Sequence, residues 1–141
     1  MKVRYLAVVA AFALGLTHLI ATTAASKPVE AARTAAQQWL SLVDGKKYAE
    51  SWTKMAPAFK KEVSKRKWKK TIQSIRSPLG KVVSRKLKSA EYTKELPGAP
   101  EGEYVVITFE TDFANRKGAV ETVTPVLGQD LIWRVAGYSV K

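Results

Sequence analysis

Cysteine is absent from this 141-residue chain. That excludes disulfide staples, thiol nucleophiles, thiolate metal ligands and a lipid-acceptor cysteine. Histidine occurs once, as His18, inside an apolar N-terminal stretch. The remainder therefore has no imidazole base, and a zinc or other soft-metal site lacks its usual ligands. Acidic residues are few, 12 against 24 basic ones, and they are scattered rather than spaced for a hard cation. A glycine-rich phosphate loop, a nucleophile elbow and a metalloprotease helix signature are all missing. No cofactor is expected, and no repeat or low-complexity tract interrupts the chain.

Long apolar runs are also scarce. The main one, Leu6 to Leu16, follows the basic residues Lys2 and Arg4 and precedes the small residues Thr23, Ala24 and Ala25. This order predicts a secretory signal helix over residues 1–25, cleaved near Ala24 or Ala25. The alternative is an uncleaved anchor. A membrane span needs about 20 apolar residues, and Thr17, His18, Thr22 and Thr23 interrupt this one. Residues 26–141 are then expected to form one exported domain, periplasmic or extracellular, with no stable membrane span after cleavage. A domain of that size buries roughly two thirds of its unfolded surface, so it needs no covalent staples.

What is plentiful is positive charge. The net charge is +12, and it is unevenly placed. Residues 46–88 carry fifteen Lys or Arg against Glu50 and Glu62, whereas residues 89–141 carry five basic and eight acidic residues. The asymmetry points to a face for anionic partners, or to a lysine-rich solvated surface.

The periodicity changes once. Val29, Ala32, Ala36, Trp39, Leu40 and Val43 recur at helical spacing and predict a helix over 28–43, closed by Asp44-Gly45 with the glycine in the left-handed conformation. Tyr48, Trp52 and Met55 mark a second helix, stopped at Pro57 with one further turn beyond it. Ser64 caps a third, running to about Arg76, with Trp68, Ile72 and Ile75 on its apolar side. After Gly80 the pattern alternates. Strands are predicted over 81–94 with a bulge near Ser89-Ala90, over 103–113, over 119–127, and from Leu131 to Val140. Short turns between strands imply hairpins. The expected fold class is α+β: about three helices packed on a four-stranded antiparallel sheet.

Several stretches resemble a known family. They are Gln38 to Trp52, Arg76 to Arg85 with its Ser77-Pro78-Leu79-Gly80 core, Pro97 to Tyr104, and Trp133 to Tyr138. Together they are similar to the bacterial domain-of-unknown-function family 4019, over most of residues 30–141. More distantly, the order of elements resembles the nuclear-transport-factor-2-like, or cystatin-like, superfamily. That resemblance implies a cone, in which a bent sheet wraps the helices, often dimeric through the sheet. It carries no activity with it. The superfamily contains isomerases and dehydratases as well as non-catalytic binding modules, and its enzymes use an Asp, His or Tyr in the cone. No motif maps a catalytic residue onto Asp44, Asp112 or Asp130.

Three sets of candidate site residues remain. An acid–base site could use carboxylates or Tyr, and Glu110 and Asp112, which share a strand face with Tyr104, are the natural candidates. The opposite face holds Val105, Ile107 and Phe109 and should be the buried one, so no catalytic role is expected. Trp39, Trp52, Trp68 and Trp133 would line a small-molecule pocket in the cone, or fill the core. Lys65, Arg66, Lys69, Lys70 and Arg76 on the third helix would form a polyanion face, extended by Lys60, Lys61, Lys67, Arg85, Lys86 and Lys88, or a solvated one. The expected function is an exported, non-catalytic binding domain with a small-molecule or protein partner. One alternative is a basic-face binder of an anionic envelope polymer. Another is a small lyase or isomerase using a cone carboxylate.

Overall fold

A computed structural model describes residues 27–141. The predicted signal segment lies outside the described residues. Helix α1 covers 27–44, followed by α2 (Tyr48–Thr53), α3 (Pro57–Glu62) and α4 (Lys65–Arg76). Four strands follow: β1 (Val82–Thr93), β2 (Tyr104–Phe113), β3 (Arg116–Leu127) and β4 (Trp133–Val140). They form an antiparallel meander in the order β1-β2-β3-β4. The architecture is the expected α+β class, with the turn at Pro57 forming an additional short helix, α3.

Local chemistry sets the boundaries. Helix α1 buries Ala32, Ala36, Trp39, Leu40 and Val43, the face its periodicity marked out. Its exit differs from expectation. The left-handed residue is Lys46 (φ 59°), and the Lys47 amide donates back to the Leu42 carbonyl at 2.8 Å. Gly45 itself is not left-handed, and a Cβ there would lie close to the Ser41 carbonyl oxygen, at 3.2 Å. Pro57 occupies the first turn of α3, where its missing N–H costs nothing. Ser64 caps α4, its hydroxyl accepting from the Lys67 amide at 3.2 Å.

On the sheet, Val105, Ile107, Phe109, Thr111 and Phe113 of β2 face the helices. Ala119 and Val123 of β3 do the same, and so does Glu121. The bulges of β1 fall at Val82–Ser84 and Leu87–Ser89, the second one residue before the predicted place. The main core gathers the inward faces of α1, α4, β2 and β3. A second small cluster of Leu79, Phe113 and Ala119 closes the end where α4 meets β1. Helix α3 is joined to the last strand by the Ala56 amide, which donates to Val135 O at 2.9 Å. Among the described residues, no helix is long and apolar enough to cross a membrane.

Candidate functional site

Two carboxyl side chains, two guanidinium side chains and a tyrosine run through the end of the molecule between α1 and the sheet. Asp44, the last residue of α1, accepts from Arg76 Nη2 at 2.8 Å and from Arg85 Nη1 and Nη2 at 2.8 and 3.1 Å. Arg85 also donates through Nε to Glu121 Oε1 at 2.7 Å. Glu121 is fully buried and takes two further donors, Thr111 Oγ1 at 2.6 Å and the Tyr138 hydroxyl. A buried carboxylate is tolerated only when charged and hydrogen-bonding partners replace its water, and Glu121 has both.

These contacts shift the titrations. Burial alone would raise Asp44, but its bonds to Arg85 and then Arg76 outweigh burial and hold it below the ordinary carboxylate value. Burial likewise opposes the charge on Arg85, and Asp44 and Glu121 more than restore it. Tyr138 is pushed well up, first by burial and then by the Glu121 charge.

Beside this chain lies a cleft of about 590 Å³, walled by the α1–α2 turn, the end of α4 and the start of β1. Asp44, Tyr48, Arg76 and Val82 line it, together with the exposed Lys46 and Lys81. The Arg76 side chain is only 6% exposed, and its Nε and Nη1, both buried, have no hydrogen-bond partner among the described residues. Its guanidinium lies 5.0 Å from the Phe113 ring centroid. Arg76 was expected on the exposed basic face of the third helix. It sits instead at the position that follows Trp68 and Ile72 in steps of four, so it points into the core and pairs with Asp44.

The other basic-face residues stay where the sequence put them. Lys65, Arg66, Lys69 and Lys70 are exposed along one side of α4 and border a shallow groove with Gln73. Lys65 also reaches back over Trp52, its Nζ 5.2 Å from the ring.

The tryptophans do not share one pocket. Trp39 and Trp68 are buried 6.0 Å apart, and Trp39 also packs on Tyr138 at 5.3 Å. Phe59 meets Trp68 edge-on at 5.4 Å. Both indole N–H groups end on Ser51: Trp39 Nε1 donates to its carbonyl at 3.0 Å and Trp68 Nε1 to its hydroxyl at 2.9 Å. Trp52 is half-buried and donates to Val63 O at 2.7 Å. Trp133 is half-buried beside a separate groove between α1 and β4.

Glu110 and Asp112 lie on the outer sheet face, away from the cleft. Glu110 pairs with Lys88 at 3.2 Å, and Asp112 accepts from the Gly118 amide at 2.7 Å across the β2–β3 turn. Tyr104 donates to Pro100 O at 2.7 Å. The described residues contain no cluster of three or more metal-ligating side chains.

Sequence reasoning missed Glu121 and Ser51, and it misplaced Arg76. For Glu121 a signal was present: it alternates with Ala119 and Val123 on the apolar face of its strand. For Ser51 there was none, because a small polar residue between two tryptophans in sequence looks like any helix-surface serine.

Compared with known proteins, residues 35–138 match the model of a family described as "Protein of unknown function (DUF4019)". No curated protein and no solved structure matches the chain.

Proposed function

The chain belongs to the DUF4019 family, and from that premise we propose that it is an exported, non-catalytic binding domain that takes a small anionic molecule in the cleft beside Arg76. One observation carries the reading. Arg76 lines a cavity large enough for a ligand together with Lys46 and Lys81, three cationic side chains against the one carboxylate of Asp44, which is already paired with Arg76 and Arg85. Such a lining suits a carboxylate or phosphate. Lys46 and Lys81 add attraction at the mouth, and Tyr48 and Val82 offer an apolar wall.

The hydrogen bonding favours binding over catalysis. An acid–base carboxylate must exchange its proton with a substrate in a cleft. Glu121 does stand beside a tyrosine, but it has no exposure, accepts three donors and does not line the cleft. Asp44 is held ionised by two arginines. The order of helices and strands fits the nuclear-transport-factor-2-like superfamily, whose members often pair through the sheet. The basic start and apolar run of residues 1–25 support work in the periplasm or outside the cell.

Native mass spectrometry of the protein purified from its own source tests the reading. A stoichiometric extra mass is expected, and it should diminish in Lys46→Glu and Lys81→Glu, both of which leave Arg76 in place. A bare chain that also shows no heat on titration with short-chain carboxylates or inorganic phosphate would rule the cleft out.

A second reading rests on the four exposed cations of α4. Lys65, Arg66, Lys69 and Lys70 form one continuous side suited to an anionic envelope polymer. Retention on such a polymer should then fall steeply with salt and be lost on charge reversal of Lys69 and Lys70.

A further inference from the structure

The turn between β3 and β4 holds two large aliphatic side chains in water. Leu131 is 77% exposed and Ile132 is 52% exposed. Leu131 also has a left-handed backbone, with φ 63°. Glycine or asparagine adopts that conformation with little strain, whereas leucine does so at a cost. Backbone geometry therefore does not explain a leucine here, and solvent exposure does not favour one.

The turn is nonetheless firmly built. The Gly128 amide donates to Ile132 O and the Leu131 amide to Gly128 O, each at 2.9 Å. The Ile132 amide donates to Asp130 Oδ1 at 3.2 Å, and Arg134 closes on both Asp130 oxygens at 3.0 and 2.8 Å. The apolar pair is thus presented by a rigid scaffold, and the one acidic side chain of the turn is neutralised by Arg134. Ile132 also borders a groove of about 680 Å³ whose walls include Trp39, Leu42 and Trp133, with Lys54 and Lys60 on the same groove.

We propose that the Leu131–Ile132 tip, flanked by Lys54 and Lys60, docks this domain on an anionic lipid bilayer. Exposed aliphatics at a tip, an amphipathic tryptophan behind them and lysines beside them match the layers of a bilayer interface: acyl chains, then the headgroup boundary, then phosphate. A second copy of this chain is a poorer occupant, because a two-fold contact would bring the lysines of one copy toward those of the other. This docking surface does not depend on the cleft beside Arg76, which is walled by other elements.

The absence of cysteine makes the test direct. In the full chain, Gln129→Cys gives a single thiol at the turn for an environment-sensitive fluorophore. The label reports on the tip itself, so attachment of the N-terminal segment to the same vesicles gives no signal unless the tip enters. With phosphatidylcholine vesicles containing phosphatidylglycerol, the emission should shift to the blue and be quenched by nitroxide-bearing lipids. With phosphatidylcholine alone the response should be weak. Lys54→Gln and Lys60→Gln should each reduce partitioning by about fivefold. Leu131→Asn should abolish quenching while leaving the thermal midpoint unchanged or higher, which separates docking from folding. A label at Glu91→Cys, on the outer sheet face, should stay unquenched. Unchanged tip emission with anionic vesicles would overturn the proposal. So would equal insertion into both lipid mixtures, or a blue shift without vesicles that grows with protein concentration.

Discussion

Ser51 joins two tryptophans that are far apart in sequence, and its hydroxyl shows what a single atom contributes. It accepts from Trp68 Nε1 and itself donates to Tyr48 O at 2.7 Å. Ser51→Ala removes the acceptor and leaves a buried indole N–H without a partner, at a cost of about 1–3 kcal/mol. Chemical denaturation should show a lower midpoint with an unchanged slope, because the exposed surface on unfolding stays the same. An unchanged midpoint would mean that Trp68 finds another acceptor. Glu121→Leu should be worse, about 3–5 kcal/mol, since it leaves Arg85 charged beside an apolar side chain and strips Thr111 and Tyr138 of their acceptor.

Helix α4 shows how one element divides its roles. Its capping serine should contribute about 0.5–2 kcal/mol, so Ser64→Ala should lower stability by that amount and speed amide exchange in the first turn. Unchanged exchange there would show that the cap contributes nothing. At the other end, Gly80 has φ 75°, and a Cβ there would lie 3.1 Å from Asn115 Nδ2. Gly80→Ala should therefore destabilise the junction between the helix exit and the β2–β3 turn, where Asn115 Nδ2 donates to Pro78 O at 3.1 Å. Thermal unfolding of this variant should begin at a lower temperature than in the parent. The elements themselves were legible in the sequence because their signals are local: Ser64 before a helical apolar stripe, Pro57 at a first turn, alternation through Val105, Ile107 and Phe109. The charged chain was not legible. Asp44, Arg76, Arg85 and Glu121 lie on four different elements, and nothing in local spacing shows that they meet. Arg76 looked like one more cation on a lysine-rich helix, although its four-residue step from Ile72 placed it on the buried side. By composition Leu131 and Ile132 belong to the last strand, whereas the backbone turns at Leu131 and the strand begins at Trp133.

At the scale of the whole molecule, the buried charges make stability depend on pH at both extremes. Asp44 has a folded-state pKa below its unfolded value. Its contribution is complete above about pH 4 and is lost as the pH falls through the folded value. Tyr138 has a raised folded-state pKa. Its contribution is complete below about pH 10 and is lost as the pH rises further. Thermal midpoints followed by circular dichroism should fall on both sides of that window. The gap between the parent and Asp44→Asn should be widest at neutral pH and close in acid. A gap that persists unchanged at the lowest pH would mean that the Asp44 charge does not stabilise the fold.

The Glu121 carboxylate sits on β3 and is held from β1, β2 and β4 by Arg85, Thr111 and Tyr138, while Arg85 passes the connection on to Asp44 of α1. This arrangement restricts which substitutions the chain can accept. A lone change at Glu121 or at Arg85 strands a buried charge of the opposite sign, so each single step should cost stability even if the paired replacement by apolar residues folds as well. The two positions should therefore be epistatic. Lineages should keep the set or lose it together, and Glu121→Leu combined with Arg85→Met should cost less than the sum of the two changes made alone.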